Sequence, residues 1–409
     1  MRYIIVYLMI FKLKWINMNI IYIGAFRLPN LDAAAPRVLN NAKVFRTLGH
    51  NVQFISWGGQ YRKEDLCADG KYRACGFEYR ISGDLPLGGS IIERIETKLF
   101  RGQKSIKMLK SMPKPDLIII YNAINSFSKQ MIKYCQKNGI KLANDLNEWY
   151  DNNELHLNDI LPNYINMTHT QHKIRNKIVI SSFLNNYYAE SNNVIIPPLC
   201  DPEETKWSAT VEDERVRPFD GITLIYAGNP AKKDCVHTVI NAVNTLANEG
   251  KAIRFLILGI TREAYMKQHA QSLLSTSLHE NVMFLGRVSQ DLIPAYYKMA
   301  DFMVLLREPN RKSMAGFPTK FAESMTAGVP VICNATSDLA QYVIHGETGF
   351  MVKGFSYEDI LDCLRNHVLT LSKEMVSYMR NETKAHGGCF SWNSILYKKE
   401  LSKFIDSLK

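Results

Sequence analysis

No Gly-x-Gly-x-x-Gly occurs anywhere along the 409 residues, which counts against an enzyme built on a dinucleotide. No Cys-x-x-Cys occurs either, and the eight cysteines (Cys67, Cys75, Cys135, Cys200, Cys235, Cys333, Cys363 and Cys389) are scattered. A chain this long needs no disulfide framework, so a reduced, cytosolic setting is the simple reading. The apolar leader, Met1–Trp15, falls short of the roughly 20 residues that a membrane span needs. Lys12 and Lys14 interrupt it and no small-residue cleavage site follows, so a signal peptide fits poorly. Met18 opens the first strand-like run. Translation starting there is one reading, and a short membrane-touching extension is the other. No internal repeat recurs at a solenoid period.

What is present suits a soluble globular chain of two domains, with 46% hydrophobic and 22% charged residues. The net charge of +11 is uneven. Residues 1–200 hold 26 basic and 15 acidic side chains, whereas residues 201–409 hold 24 of each. Lys98 to Lys141 contains ten basic residues and one acidic residue, Asp116. Within Ile91 to Met112 the spacing predicts a helix on which Lys98, Arg101, Lys104, Lys107 and Lys110 recur every three residues. Ile91, Ile92, Ile95 and Leu99 supply its apolar stripe. Such a helix suits an anionic lipid surface, or equally a packed helix with a solvated outer face.

The first half begins strand, loop, helix, strand: the run from Met18, a helix over Arg37 to Leu48, and a strand over Val52 to Trp57. Gly24 reads as a tight turn or as a point where backbone approaches a ligand. Strands over Asp116 to Tyr121 and Ile140 to Asn144 follow. The second feeds Asp145-Leu146-Asn147-Glu148-Trp149-Tyr150. Acidic residues just past a strand's carboxyl end sit where ligands bind in open α/β sheets, so Asp145 or Glu148 would position or deprotonate a hydroxyl. Asp145 capping the following turn is the alternative. The charged, proline-flanked segment Asp201 to Asp220 reads as a linker.

The second half restarts with strands over Ile222 to Ala227, Ile253 to Leu258 and Val282 to Leu285, the last leading into Arg287. Asp301 to Leu306 is another, followed by a glycine loop, a short helix from Pro318 to Ala327, and a strand from Val329 to Cys333. Proline suits a first helical position, and Gly328 suits the left-handed cap. The helix aims its unpaired N–H groups at the loop, which favours a phosphate there. Lys320 and Glu323 share one helix face, as a cation for phosphate and a carboxylate for ribose hydroxyls, or as a plain surface ion pair.

This stretch resembles the donor-site signature of family 4 retaining glycosyltransferases of the GT-B fold. Glu323 matches the second glutamate of that signature, and Ala327-Gly328-Val329-Pro330-Val331-Ile332 matches its tail. Ala315 stands where the first glutamate is usual, while Pro318, Lys320 and Glu323 fit the Pro-x-Lys-x-x-Glu variant. After Ile222 to Ala227, Asn229 stands at the family's arginine and Lys233 matches its lysine. Asp145 to Tyr150 resembles the Asp-x-x-Glu-Trp-Tyr motif of bacterial polysaccharide glycosyltransferases.

The resemblance implies an α/β chain of two Rossmann-like domains facing across a cleft. An acceptor-side domain would span 18–200, a linker 201–220, and a nucleotide-sugar domain 221–390. A C-terminal helix over 391–409 would return to the N-terminal domain. Donor binding would fall to Gly24, Lys233, Arg287, Gly316, Phe317, Pro318, Lys320 and Glu323, with Arg307 a second candidate cation, and catalysis to Asp145 and Glu148. No Asp-x-Asp occurs, in keeping with a diphosphate site of lysines and a helix end with no bound divalent metal and no cofactor. The implied partners are a nucleotide-diphosphate sugar, a saccharide or lipid-diphosphate-linked acceptor, and an anionic membrane surface at the cytoplasmic face, but no nucleic acid. Ala315 and Asn229 leave two rivals, a non-catalytic nucleotide-sugar-binding subunit and a nucleotide-sugar epimerase.

Overall fold

The apolar run after Met18 forms a strand, Asn19–Leu28 (β1), with Ile20 to Ile23 all buried. The computed structural model describes residues 17–85, 101–152, 155–230, 234–275 and 277–408. β1 continues past Gly24, where a turn was expected. The helix Ala34–Thr47 (α1) begins at Ala34 rather than Arg37, because the Asp32 carboxylate accepts from the N–H groups of Ala34 and Ala35 at 3.1 and 3.0 Å. Then come Asn51–Gly59 (β2), Arg73–Ala74 (β3), Phe77–Ile81 (β4) and Gln103–Lys110 (α2). Leu117–Tyr121 (β5), Asn125–Asn138 (α3), Lys141–Leu146 (β6), Leu157–Ile165 (α4), Asn176–Val179 (β7) and Asn192–Ile195 (β8) follow.

These strands form one sheet in the order β3-β4-β2-β1-β5-β6-β7-β8, parallel except for β3 against β4. Both faces of such a sheet are covered, so its strands are continuous apolar runs; β5 is buried at every residue. Of the basic helix expected over Ile91 to Met112, α2 is the part within the described residues. Lys98 and the stripe of Ile91, Ile92, Ile95 and Leu99 lie outside them, as do the leader and Lys233.

A second unit comprises Ser181–Phe183 and Pro197–Ser394. Its strands are Ile222–Ala227 (β9), Ile253–Leu258 (β10), Val282–Gly286 (β11), Phe302–Leu305 (β12), Val331–Asn334 (β13) and Gly349–Val352 (β14). They pair in parallel in the order β11-β10-β9-β12-β13-β14. Helices Val236–Asn248 (α5), Thr319–Ala327 (α6) and Lys373–Gly387 (α7) belong to this unit. So does the charged segment 201–220. Arg215 donates to the Leu285 carbonyl at 2.9 Å and the Tyr296 hydroxyl to Asp213 at 2.8 Å, so the segment is strapped onto the unit.

The final helix, Ile395–Asp406 (α8), belongs to the first unit with the residues up to Ile180 and Leu184–Ile196. It buries Tyr397, Leu401, Phe404 and Ile405. Lys141 donates to the Leu408 carbonyl at 2.7 Å, and the Ser407 hydroxyl to Asn192 at 2.9 Å. Among the described residues no helix is long and apolar enough to cross a membrane.

Candidate functional site

Strand order in the second sheet reverses between β9 and β12, and at such a point the carboxyl ends of neighbouring strands splay apart and admit a ligand. Asp234, Tyr226, Arg307 and Lys320 meet there. The Asp234 carboxylate accepts from Arg307 Nε at 2.7 Å, Lys320 Nζ at 2.8 Å and the Tyr226 hydroxyl at 2.5 Å. Burial pushes this carboxyl up, but Lys320 and Arg307 outweigh it and hold the group well below the usual carboxylate range. Lys320 also lies 4.0 Å over the Tyr226 ring. Asn334 fixes the Arg307 backbone from both sides, accepting its N–H at 3.0 Å and donating to its carbonyl at 2.7 Å. Two cations around one anion leave a net positive charge.

Lys320 therefore pairs across to Asp234, and the surface pair with Glu323 does not form. Gly228 makes room for it: at φ +132° its backbone is left-handed, and a Cβ there would lie 3.2 Å from the Lys320 ammonium. Neither Asp234 nor Gly228 stood out in the sequence. The available signal was an acidic residue directly after the turn lysine.

Gly316, Phe317 and Pro318 lead into α6. Pro318 is the N-cap rather than the first helical residue, and no side chain caps that end, so its leading N–H groups lack a side-chain acceptor. Gly328 ends the helix in the left-handed conformation, at φ 73°. Glu323, one turn in, is half-buried, and its carboxylate hydrogen-bonds to no described side chain. Burial pushes its carboxyl above the usual range, against the pull of Lys206 and Lys320. Ala315 is fully buried, and its carbonyl accepts from the Ser181 hydroxyl at 2.7 Å.

The other expected residues lie elsewhere. Arg287 is exposed just past β11. Gly24 is accounted for by its own sheet, since a Cβ would sit 2.5 Å from the Tyr121 carbonyl oxygen on β5. Asp145 corrects an expectation. It is fully buried and accepts from Arg37 Nη2 at 2.7 Å, Arg37 Nε at 3.0 Å, Asn41 at 3.2 Å and the Tyr22 hydroxyl. With both oxygens occupied it ties β6 to α1 and has none left for an acceptor hydroxyl. Glu148 is half-buried in the loop beyond β6, beside Trp149, whose ring meets Tyr187 at 4.6 Å. On α2, Lys104, Lys107 and Lys110 are exposed and Ser105, Ile106 and Leu109 face inward, while Arg101, just before it, is half-buried.

Two sheets, parallel but for the edge strand β3 and each reversing order at its centre, make this an α/β protein of the GT-B fold. Residues 211–385, within the second unit, match the model for glycosyl transferases group 1. Sucrose-phosphate synthase from Thermosynechococcus elongatus superposes with a TM-score of 0.72 at 16% identity, over 96% of this chain and 100% of that one. Anabaena HepE in complex with UDP and glucose gives 0.66 at 14%, over the same shares. A GDP-mannose-dependent phosphatidylinositol monomannoside mannosyltransferase of Mycobacterium tuberculosis is 32% identical over 90 residues, 21% of this chain and 23% of that protein. A capsular polysaccharide biosynthesis glycosyltransferase of Staphylococcus aureus is 25% identical over 143 residues, 35% of this chain and 36% of its own length.

Proposed function

We propose that the chain moves a sugar from a nucleotide-diphosphate sugar to a hydroxyl of a saccharide or lipid-linked saccharide, with retention of anomeric configuration, in the assembly of a bacterial surface polysaccharide. The observation that carries this reading is the end of α6. A helix N-terminus without a side-chain cap and two cations meet at one strand-order reversal, with the Glu323 carboxylate one turn into the helix. The diphosphate lies against the helix end with Lys320 and Arg307 on its oxygens, and Lys233 is assigned there from the sequence. Glu323 accepts from the ribose hydroxyls. As the bond from anomeric carbon to diphosphate oxygen breaks, charge grows on the leaving group, and these fixed cations stabilise it without reorganising. No divalent metal is needed on the diphosphate in this scheme. Glu148 is the carboxylate we assign to orienting the acceptor hydroxyl, which bonds to the anomeric carbon on the face the diphosphate leaves and gives its proton to the departing diphosphate oxygen.

A thermal-shift screen of nucleotide sugars, followed by transfer assays, tests the whole reading. If no nucleotide sugar raises the Tm and none is consumed, the reading fails. Within it, Glu323→Gln is expected to weaken donor binding by about 1–3 kcal/mol with the fold intact, the scale of a hydrogen bond to a charged group. An unchanged dissociation constant in calorimetry would remove Glu323 from the site.

The same reading places the enzyme peripherally on the inner face of the plasma membrane, supported by the exposed Lys104, Lys107 and Lys110. Each basic residue near an anionic surface contributes about 1 kcal/mol, screened within about 8 Å at physiological salt. A chain beginning at Met18 is expected to co-sediment with anionic vesicles at low salt. Reversing the three lysines to Glu should release the salt-sensitive part of the bound protein while donor binding persists. If the triple variant keeps its full salt-sensitive binding, α2 is only a solvated face.

A further inference from the structure

We infer that α4 is a membrane-inserting helix whose apolar face enters a bilayer of anionic lipid. The inference extends the membrane part of the function proposed above but stands on different residues. α4 has no fully buried residue. Leu157, Leu161 and Tyr164 follow one another at four- and three-residue spacing, so they share a face, and they are 85%, 63% and 52% exposed. Ile160 and Ile165 flank them on the helix surface and are half-buried, while Asp159 and Asn163 occupy the opposite side. A helix that folds onto its own domain turns this arc inward. Here Leu157, Leu161 and Tyr164 are exposed, and no described residue buries them.

Its surroundings indicate what covers it. The turn after α4 is pinned to the start of α3: Thr170 donates to Asn125 at 2.7 Å and Asn166 to the Ala123 carbonyl at 2.8 Å. α3 then exposes Lys129, Lys133 and Lys137 along one face. Gln103 on α2 donates to Gln130 on α3 at 2.6 Å, so the exposed lysines of α2 belong to the same neighbourhood. Neither α2 nor α3 contains an acidic residue. An apolar ridge beside two rows of lysines matches hydrocarbon beneath anionic headgroups, the two layers of a bilayer surface. The ridge also follows the β6 loop that carries Glu148, so insertion would bring that loop to the lipid surface, where a lipid-linked acceptor resides.

The test is hydroxyl-radical footprinting of the full chain with vesicles of phosphatidylglycerol or of phosphatidylcholine. Oxidation of the peptide spanning 156–165 is expected to fall by about fivefold or more with phosphatidylglycerol and to stay unchanged with phosphatidylcholine. Replacing Leu157, Leu161 and Tyr164 by Ser, all on the exposed face, should leave the Tm unchanged. It should remove the vesicle-bound fraction that survives high salt by about tenfold or more, given the transfer free energy of two leucines and a tyrosine. The Glu variants of Lys104, Lys107 and Lys110 should instead reduce only the salt-sensitive fraction. Equal labelling of 156–165 with and without phosphatidylglycerol overturns the inference. So does protection that rises with protein concentration in the absence of lipid, which would make the ridge a contact between copies. Lipid insertion in a chain that consumes no nucleotide sugar would uphold this inference and sink the transferase reading.

Discussion

Lys320→Ala is expected to lower kcat by about 10²–10³-fold, the effect of removing one preorganised charge-stabilising donor, with little change in KM. The split follows from when the charge appears. A diphosphate ester already carries charge in the ground state, but the charge on the departing oxygen grows toward the transition state, so a fixed cation is worth most there. Lys320 is held for the task by Asp234 and the Tyr226 ring, and Gly228 keeps the space beside it clear. Stability should fall only modestly, because Asp234 keeps Arg307 and the Tyr226 hydroxyl. Full activity in this variant would exclude Lys320 from the site. The clamp also has an acid limit. Asp234 is held below its unfolded value, so its contribution to stability is complete above about pH 4 and is lost as the pH falls toward the depressed value.

The largest effect on stability is expected at Asp145. Asp145→Ala leaves the Arg37 guanidinium, 4% exposed, without its carboxylate, and an orphaned buried charge costs about 3–5 kcal/mol. For a unit of this size that is a fall of roughly 10 °C in Tm. Replacing both partners, as Arg37→Met with Asp145→Leu, should recover most of the loss, because buried pairs are often no better than apolar packing. Reading Asp145 as a general base predicts the opposite pattern, with activity lost and stability kept. Thermal denaturation of the two variants beside their transfer rates separates these outcomes.

These two residues also show how far the sequence could be read. The strands stood out because a parallel sheet covered on both faces turns each strand into an apolar run, and β9 and β10 begin and end where that run does. Helix ends were legible only to within a few residues. The Asp32 cap and the proline before Thr319 are matters of local hydrogen bonding that periodicity does not register. Charges were read least well, because their partners are distant. Arg37 lies 108 positions before Asp145, and Asp234 lies 86 before Lys320. From the sequence, a strand-end aspartate looks the same whether it faces a substrate or an arginine. The ridge on α4 was hidden for another reason. Leucines at helical spacing ordinarily mean core, and only the fold shows that these face outward.

The placement of α8 bears on how the protein is made. The first unit is interrupted at Ile196 and completed only from Ile395. At about 5–20 residues per second the intervening chain takes a ribosome on the order of 10–40 s to synthesise. Throughout that interval the surface later covered by Tyr397, Leu401 and Phe404 is bare on the nascent chain. The half that emerges first is thus the last to be finished. During translation it depends on holdase chaperones or on the slowness of aggregation, and a stop codon near the 3′ end of the message would damage the N-terminal half.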